Sequence, residues 1–174
     1  MRLDEDTSAN RQAAGLLTLR AAVEADAPFV DWLTRQTMEP VVRQTWTSEA
    51  DVAAYFDKNR CDLETTKIIQ WDGVDVGRLS LIWSTNEVYV DQVHVIPAYQ
   101  GYGLGTAVLE RVIRLARRMN RSVRLQCLLA NPAANLYFRL GFEEYNRSAT
   151  HYFLRIAKAT GPAHREGVQL DAQP

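Results

Sequence analysis

Apolar residues recur along this chain with two alternating periods, and the switches between them divide it into strands and helices. Leu16 to Ala21 reads as a strand, with Leu16, Leu17 and Leu19 supplying its apolar positions. Asp26 then offers an N-cap and Pro28 suits a first turn, so a helix is predicted to about Met38, with Phe29, Val30, Leu33 and Met38 at helical spacing. Ser48 opens a second helix carrying Val52, Ala53, Tyr55 and Phe56 on one side. Lys67 to Trp71 and Val74 to Ser84 flank Asp72-Gly73, which predicts a β-hairpin with a type I′ turn. Glu87 to Ile96 is a third β-branched run, apolar on both faces at its far end. The strongest helical signal starts at Gly105 or Thr106 and carries a broad stripe of Val108, Leu109, Val112, Ile113, Leu115, Ala116 and Met119. A strand over Ser122–Ala130 follows, then a short helix from Pro132 to Gly141. Strands near Phe142–Tyr145 and Thr150–Ile156 end the pattern. The order β-α-α-β-β-β-α-β-α-β-β predicts a mixed sheet with helices on both faces.

Length and composition narrow this to one domain. The chain has 174 residues, 47% hydrophobic and 24% charged, with a formal net charge of −1. Nothing global draws such a chain to nucleic acid or to an acidic membrane surface. Residues 1–14 and 158–174 are polar and aperiodic and are expected to be a disordered leader and a flexible tail around a domain over 15–157. No apolar run approaches the ~20 residues that span a bilayer, and the acidic N-terminus lacks a signal peptide's apolar core. Two distant cysteines, Cys61 and Cys127, make neither a disulfide framework nor a zinc spacing, which fits a cytoplasmic protein without a metal. Arg111, Arg114, Arg117, Arg118, Arg121 and Arg124 cluster around the long helix without interleaved aromatics, so they read as a solvated face rather than an RNA surface.

The densest chemistry lies in Gln100-Gly-Tyr-Gly-Leu-Gly-Thr106, between a strand and that helix. Glycines there allow positive φ and close approach of a ligand, while the orphan N–H groups of the next helix favour an anion. The reading from residues alone is a phosphate site or a ligand-free glycine connection. No Gly-Lys-Ser/Thr follows, which excludes the Walker loop. The dinucleotide fingerprint fails as well, because Thr106 stands where its third glycine belongs.

Gln100-x-x-Gly103-x-Gly105, preceded by Val93-His-Val-Ile-Pro97, resembles the first signature of the GCN5-related N-acetyltransferase (GNAT) superfamily. Asn131-Pro-Ala-Ala-Asn-Leu-Tyr137-Phe-Arg-Leu-Gly141-Phe142 is similar to its second. The resemblance covers roughly Leu16 to Ile156. It implies the GNAT-type α/β fold, a central mixed, mostly antiparallel sheet flanked by helices, and acyl transfer from acetyl-CoA to an amine. It further implies that the amides of Gln100, Gly101, Tyr102, Gly103, Leu104, Gly105 and Thr106 bind the pyrophosphate. The backbone of Val93, His94 and Val95 then pairs with the pantetheine arm, and the Asn131 side chain contacts it; Asn131 equally suits an N-cap. Tyr137 matches the tyrosine that protonates the departing sulfur, against which stands a packed core aromatic.

An ammonium substrate requires a general base. Asp91, in an otherwise apolar strand, is either that base or a salt-bridged aspartate. Gln126 stands where some family members carry a glutamate base, and Glu87 reads as a solvated turn residue. Cys127 in an apolar strand reads as inert core. The first two helices and their loop, around Trp32, Met38, Glu39 and Trp46 and with Trp83 nearby, are expected to line a pocket for a small cationic amine, against which stands a core role for the aromatics. The function expected is direct acetylation of a small-molecule primary amine in a ternary complex. The alternatives are acetylation of a protein N-terminus or lysine, and a non-catalytic acyl-CoA-binding module. The sequence leaves room for a homodimer.

Overall fold

The computed structural model describes residues 15–158; the expected leader and all but the first residue of the expected tail lie outside them. The predicted order of elements is present. In chain order these are β1 (Leu17–Ala21), α1 (Ala27–Thr45), α2 (Glu49–Lys58), β2 (Thr66–Trp71), β3 (Val74–Trp83), β4 (Glu87–Val95), α3 (Leu104–Arg118), β5 (Ser122–Leu128), α4 (Ala134–Arg139), β6 (Glu143–Arg147) and β7 (His151–Ile156). Seven strands form one sheet in the order β1-β2-β3-β4-β5-β7-β6. Every pairing is antiparallel except β4 with β5. Asp72 and Gly73 both take positive φ, 49° and 81°, as the type I′ hairpin between β2 and β3 requires.

The stripe on α3 fits one face of the sheet. Val108, Leu109 and Ala116 are fully buried against Val88, Val123 and Leu125, with Tyr137 and Phe142 closing the end of this core. α1 and α2 cover the other face and share a smaller core of Met38, Val41, Val42, Val52, Phe56 and Leu128. α1 runs seven residues beyond the predicted Met38, straight through Pro40. A proline inside a helix costs ~3 kcal/mol, whereas burying a valine side chain returns ~1.5–3 kcal/mol. Val41 and Val42 are both buried just past the proline, so the helix continues.

The entry to α1 is tied to the sheet by charge. The Arg20 guanidinium donates to both carboxylate oxygens of Asp26 at 2.7 and 2.8 Å and to Asp75 at 2.6 Å. Val23 N–H donates to Asp26 as well. The Arg20 hydrogen bonds pull the Asp26 carboxyl down to about 2. Because the folded-state value lies below the unfolded one, this contribution is present above pH ~4 and is lost as pH falls towards 2. The shift corresponds to about 1–2 kcal/mol after allowance for the one-third exposure of Arg20. Arg20→Met is therefore expected to lower stability at pH 7 by about that amount. The deficit should shrink between pH 4 and 2, as denaturant melts at each pH would record.

Candidate active site

The parallel pairing of β4 with β5 lasts three residues, Glu87–Tyr89 against Ser122–Arg124. A bulge in β4 follows. Ser80 of β3 faces Gln92 while Leu81 faces Val90, which leaves Asp91 as the extra residue. Bulges bend a strand and increase its twist, and beyond this one β4 and β5 no longer pair. Two cavities occupy the opening, of about 450 and 400 Å³. Both are lined by Met38, Val93, His94, Asn131, Ala133 and Tyr137, so they meet along these residues.

The larger cavity gathers most of the residues that the glycine signature singles out. Val93, His94, Val95, Gln100, Gly101, Gly103, Leu104, Gly105 and Thr106 line it, opposite Leu136 and Arg139 of α4. Gly101 and Gly103 take φ of 82° and 81°, and a Cβ at either would enter open space. Gly103 caps α3, which starts at Leu104, one residue before the earlier of the two expected starts, and the Gly103 carbonyl accepts from Ala107 N–H. The first-turn amides of Leu104, Gly105 and Thr106 have no partner within the helix. An open cradle lined by such amides fits a pyrophosphate. Gly105 lies within the helix, and a Cβ there would meet only Leu136, at an ordinary contact distance of 3.6 Å. The Tyr102 side chain turns away, into a separate shallow recess beside Trp71 and Tyr99. The Gln100 side-chain amide donates to the Val95 carbonyl at 2.9 Å, holding the loop to the end of β4. Asn131 does two things at once: its Oδ1 accepts from Ala133 N–H at 2.9 Å ahead of α4, and its side chain lines both cavities.

The smaller cavity lies over the Asp91 bulge. One face of α2, comprising Asp51, Ala54, Tyr55 and Lys58, forms a wall, and Gln126, Cys127 and His151 form another. Trp46 lines it too, with its ring 5.7 Å from Tyr55 and 6.3 Å from His151. Trp32 and Glu39 line neither cavity. Trp32 is largely exposed and packs on Phe29, and Glu39 pairs with Arg43 at 2.9 Å. Their side of α1 faces away from the opening that Met38 lines. Trp83 is also remote, beneath the Arg121 guanidinium. The second helix is expected from sequence to flank the cleft, but no local motif marks Asp51, Ala54, Tyr55 and Lys58 as its lining face, or His151 opposite it. The one available signal was the i, i+3, i+4, i+7 spacing of Asp51, Ala54, Tyr55 and Lys58.

Burial keeps most of the lining neutral. It raises the Tyr137 phenol far above its ordinary range and pushes the Cys127 thiol up to about 12. Burial, reinforced by Arg78 opposite it on β3, pushes His94 down to about 3. His94 Nδ1 and two Arg78 nitrogens are buried without a partner. Asp91 is open to the cavity, yet the protein around it strips enough water to raise its carboxyl above the usual range, against the pull of Arg78. Among the described residues no cluster of His, Cys, Asp or Glu suits a metal ion, and no helix is long and apolar enough to cross a membrane.

The sequence profile of the acetyltransferase (GNAT) family matches residues 28–142. Thialysine N-epsilon-acetyltransferase of Mus musculus is 35% identical over 68 residues, a match spanning 38% of this chain and 40% of that protein. Among solved structures, PaiA N-acetyltransferase of Thermoplasma acidophilum in complex with coenzyme A superposes with a TM-score of 0.67 at 13% identity, over 83% of this chain and 99% of that one. Naa50 of Arabidopsis thaliana, with a bisubstrate CoA analogue, gives 0.57 at 17% identity, over 81% and 98%.

Replacing Gly103 tests the cradle. At a φ of 81°, Gly103→Val is strained by about 1–2 kcal/mol and places its side chain in the open space. Coenzyme A is expected to raise the melting temperature of the wild type by mass action and to leave the folded variant's unchanged.

Proposed function

The chain belongs to the acetyltransferase (GNAT) family, and we propose that it carries the acetyl group of acetyl-CoA directly to a primary amine of a small molecule. The observation that carries this reading is the meeting of the two cavities at Tyr137. One holds an anion-binding cradle and the other a carboxylate with a raised pKa, so a donor and an acceptor bound there would face each other across one phenol. The mouse relative, named for acetylating an amine, supports an amine acceptor.

The residues divide the work as follows. The amides of Gln100–Thr106 bind the pyrophosphate, and the unpaired edge of β4 at Val93–Val95 runs along the pantetheine arm. Asn131 contacts that arm. When bound, the thioester supplies an activated acetyl group. An amine arrives as ammonium, and Asp91 takes its first proton, directly or through one water. The freed lone pair attacks the thioester carbonyl and the carbon–sulfur bond breaks. Tyr137, kept protonated by burial, gives its proton to the departing sulfur. The second proton shed by nitrogen returns to the phenolate, and Asp91 releases its own to water. A Cys127 thiol pushed up to about 12 stays protonated at neutral pH, which favours direct transfer over a covalent route.

Two variants and a substrate panel test this reading. Tyr137→Phe removes one hydroxyl and should lower kcat by about 10²-fold with coenzyme A affinity preserved; unaltered turnover would make Tyr137 a packing residue only. Asp91→Asn should flatten the acidic limb of kcat/KM. In the wild type that limb should stand above the range of an ordinary carboxylate, because burial raises Asp91. Activity in the variant should recover partly at high pH, where more of the amine is neutral. Coenzyme A release with small amines, with peptides, or with neither separates small-molecule acetylation from protein acetylation and from binding alone.

A further inference from the structure

We infer that the acceptor carries a carboxylate beside its reacting amine, and that Lys58 is the residue that reads it. This rests on the amine-acetylation reading above and adds to it the chemical class of the acceptor, an amino acid.

The face of α2 that lines the acceptor cavity begins with Asp51 and ends with Lys58. Seven residues of helix separate the two by about 10 Å along the axis. Lys58 lines that cavity together with Asp91 on β4 and His151 on β7, so its ammonium belongs to the space between those two walls. Of the other charged residues of α2, Glu49 pairs with Arg43 at 2.6 Å and Asp57 with Arg60 at 3.2 Å, while Asp51, like Lys58, takes part in no ion pair among the described residues. Among the described residues Lys58 takes part in no ion pair, although it lines the same cavity as Asp91 and Asp51.

Two carboxylates and one ammonium line the cavity, so an acceptor whose only charge is positive finds an anion to meet it but leaves Lys58 facing nothing of opposite sign. Asp91 attracts the ammonium, and an unpaired Lys58 repels it unless the acceptor brings an anion of its own. An acceptor with one charge of each sign turns that repulsion into a contact. Of the available anions, a carboxylate fits better than a phosphate. Lys58 is in the last turn of α2, where the helix presents the partly negative end of its dipole. One lysine there balances a single negative charge, and a dianion would leave an excess facing Asp91 and Asp51. Trp46 and Tyr55 flank the span between, a surface for the methylenes that join amine to carboxylate.

The test uses acceptors matched except for the carboxylate, lysine with cadaverine and 6-aminohexanoate with hexylamine, at saturating acetyl-CoA. The carboxylated member of each pair should have a kcat/KM higher by roughly tenfold to hundredfold, mostly through KM. Lys58→Met should lower that value for lysine by a similar factor and raise it for cadaverine, because a repelling charge is gone. Lys58→Arg should retain the preference. Equal values within each wild-type pair, or a preference that survives in Lys58→Met, overturn the inference. So does faster turnover of O-phosphoethanolamine than of either amino acid, which would make the anion a phosphate. If no amine is acetylated, the amine-acetylation reading fails by itself. Calorimetry on the coenzyme A-loaded protein then reads the charge preference alone, and lysine binding no tighter than cadaverine overturns it.

Discussion

The separation of β4 from β5 is the constraint on which the rest of the site depends. Three residues of parallel pairing hold the two halves of the sheet together at one end. Past the Asp91 bulge the hydrogen-bonding edges part and stay unpaired by each other. An unpaired edge inside a sheet would ordinarily close, since buried backbone groups require partners. Here the opening is kept by what stands in it. Tyr137 and Asn131 enter from the segment after β5, and Met38 enters from α1. The glycine loop follows directly from the freed end of β4, so the same divergence places the cradle and the acceptor cavity against each other.

The polarity of that opening is economical. The large polar side chains at the junction, Tyr137 and His94, are buried and held neutral, and Cys127 nearby is likewise protonated. Charge stands away from the junction, on Asp51, Lys58 and Asp91 of the smaller cavity and on Arg139 of the larger, with Arg78 on the neighbouring strand. A neutral junction in a poorly hydrated space strengthens whatever hydrogen bonds a reacting group makes there. It also leaves Asp91 as the one acid at the bulge.

Much of this was legible in the sequence because it is encoded locally. The glycines at 101 and 103, the Asp72-Gly73 turn and the apolar stripe of α3 each carry their structural reason within a few residues. The wall of the smaller cavity was legible only in part: the sequence singles out Trp46 and Gln126, but Lys58 and His151 join them only through elements far apart in the chain. The misplaced residues have a specific cause. Trp32 and Glu39 stand out in the sequence for their aromatic and acidic character and not for their bearing on α1. In the full helix Trp32 precedes Met38 by six residues, well round the cylinder from it at about 100° per residue. Trp46, by contrast, comes just after the last turn, where the chain bends toward α2 and the cavity.

Side chains in a strand alternate, so the parity of a position decides which side of the sheet it serves. Val88 and Val90 precede the bulge, Val93 and Val95 follow it, and all four face the α3 core although an odd interval divides the two pairs. Asp91 absorbs the odd step. The same residues without a bulge would turn His94 into the core and a valine outward. A chain shortened by Asp91 would instead alternate plainly, keep all four valines inward and lose the irregularity at which β4 leaves β5. The segment from Val88 to Val95 is thus read in a frame, much as a coding sequence is. Substitutions within it change one chemical group, whereas an inserted residue that no second bulge absorbs exchanges the inside of the protein for its working surface.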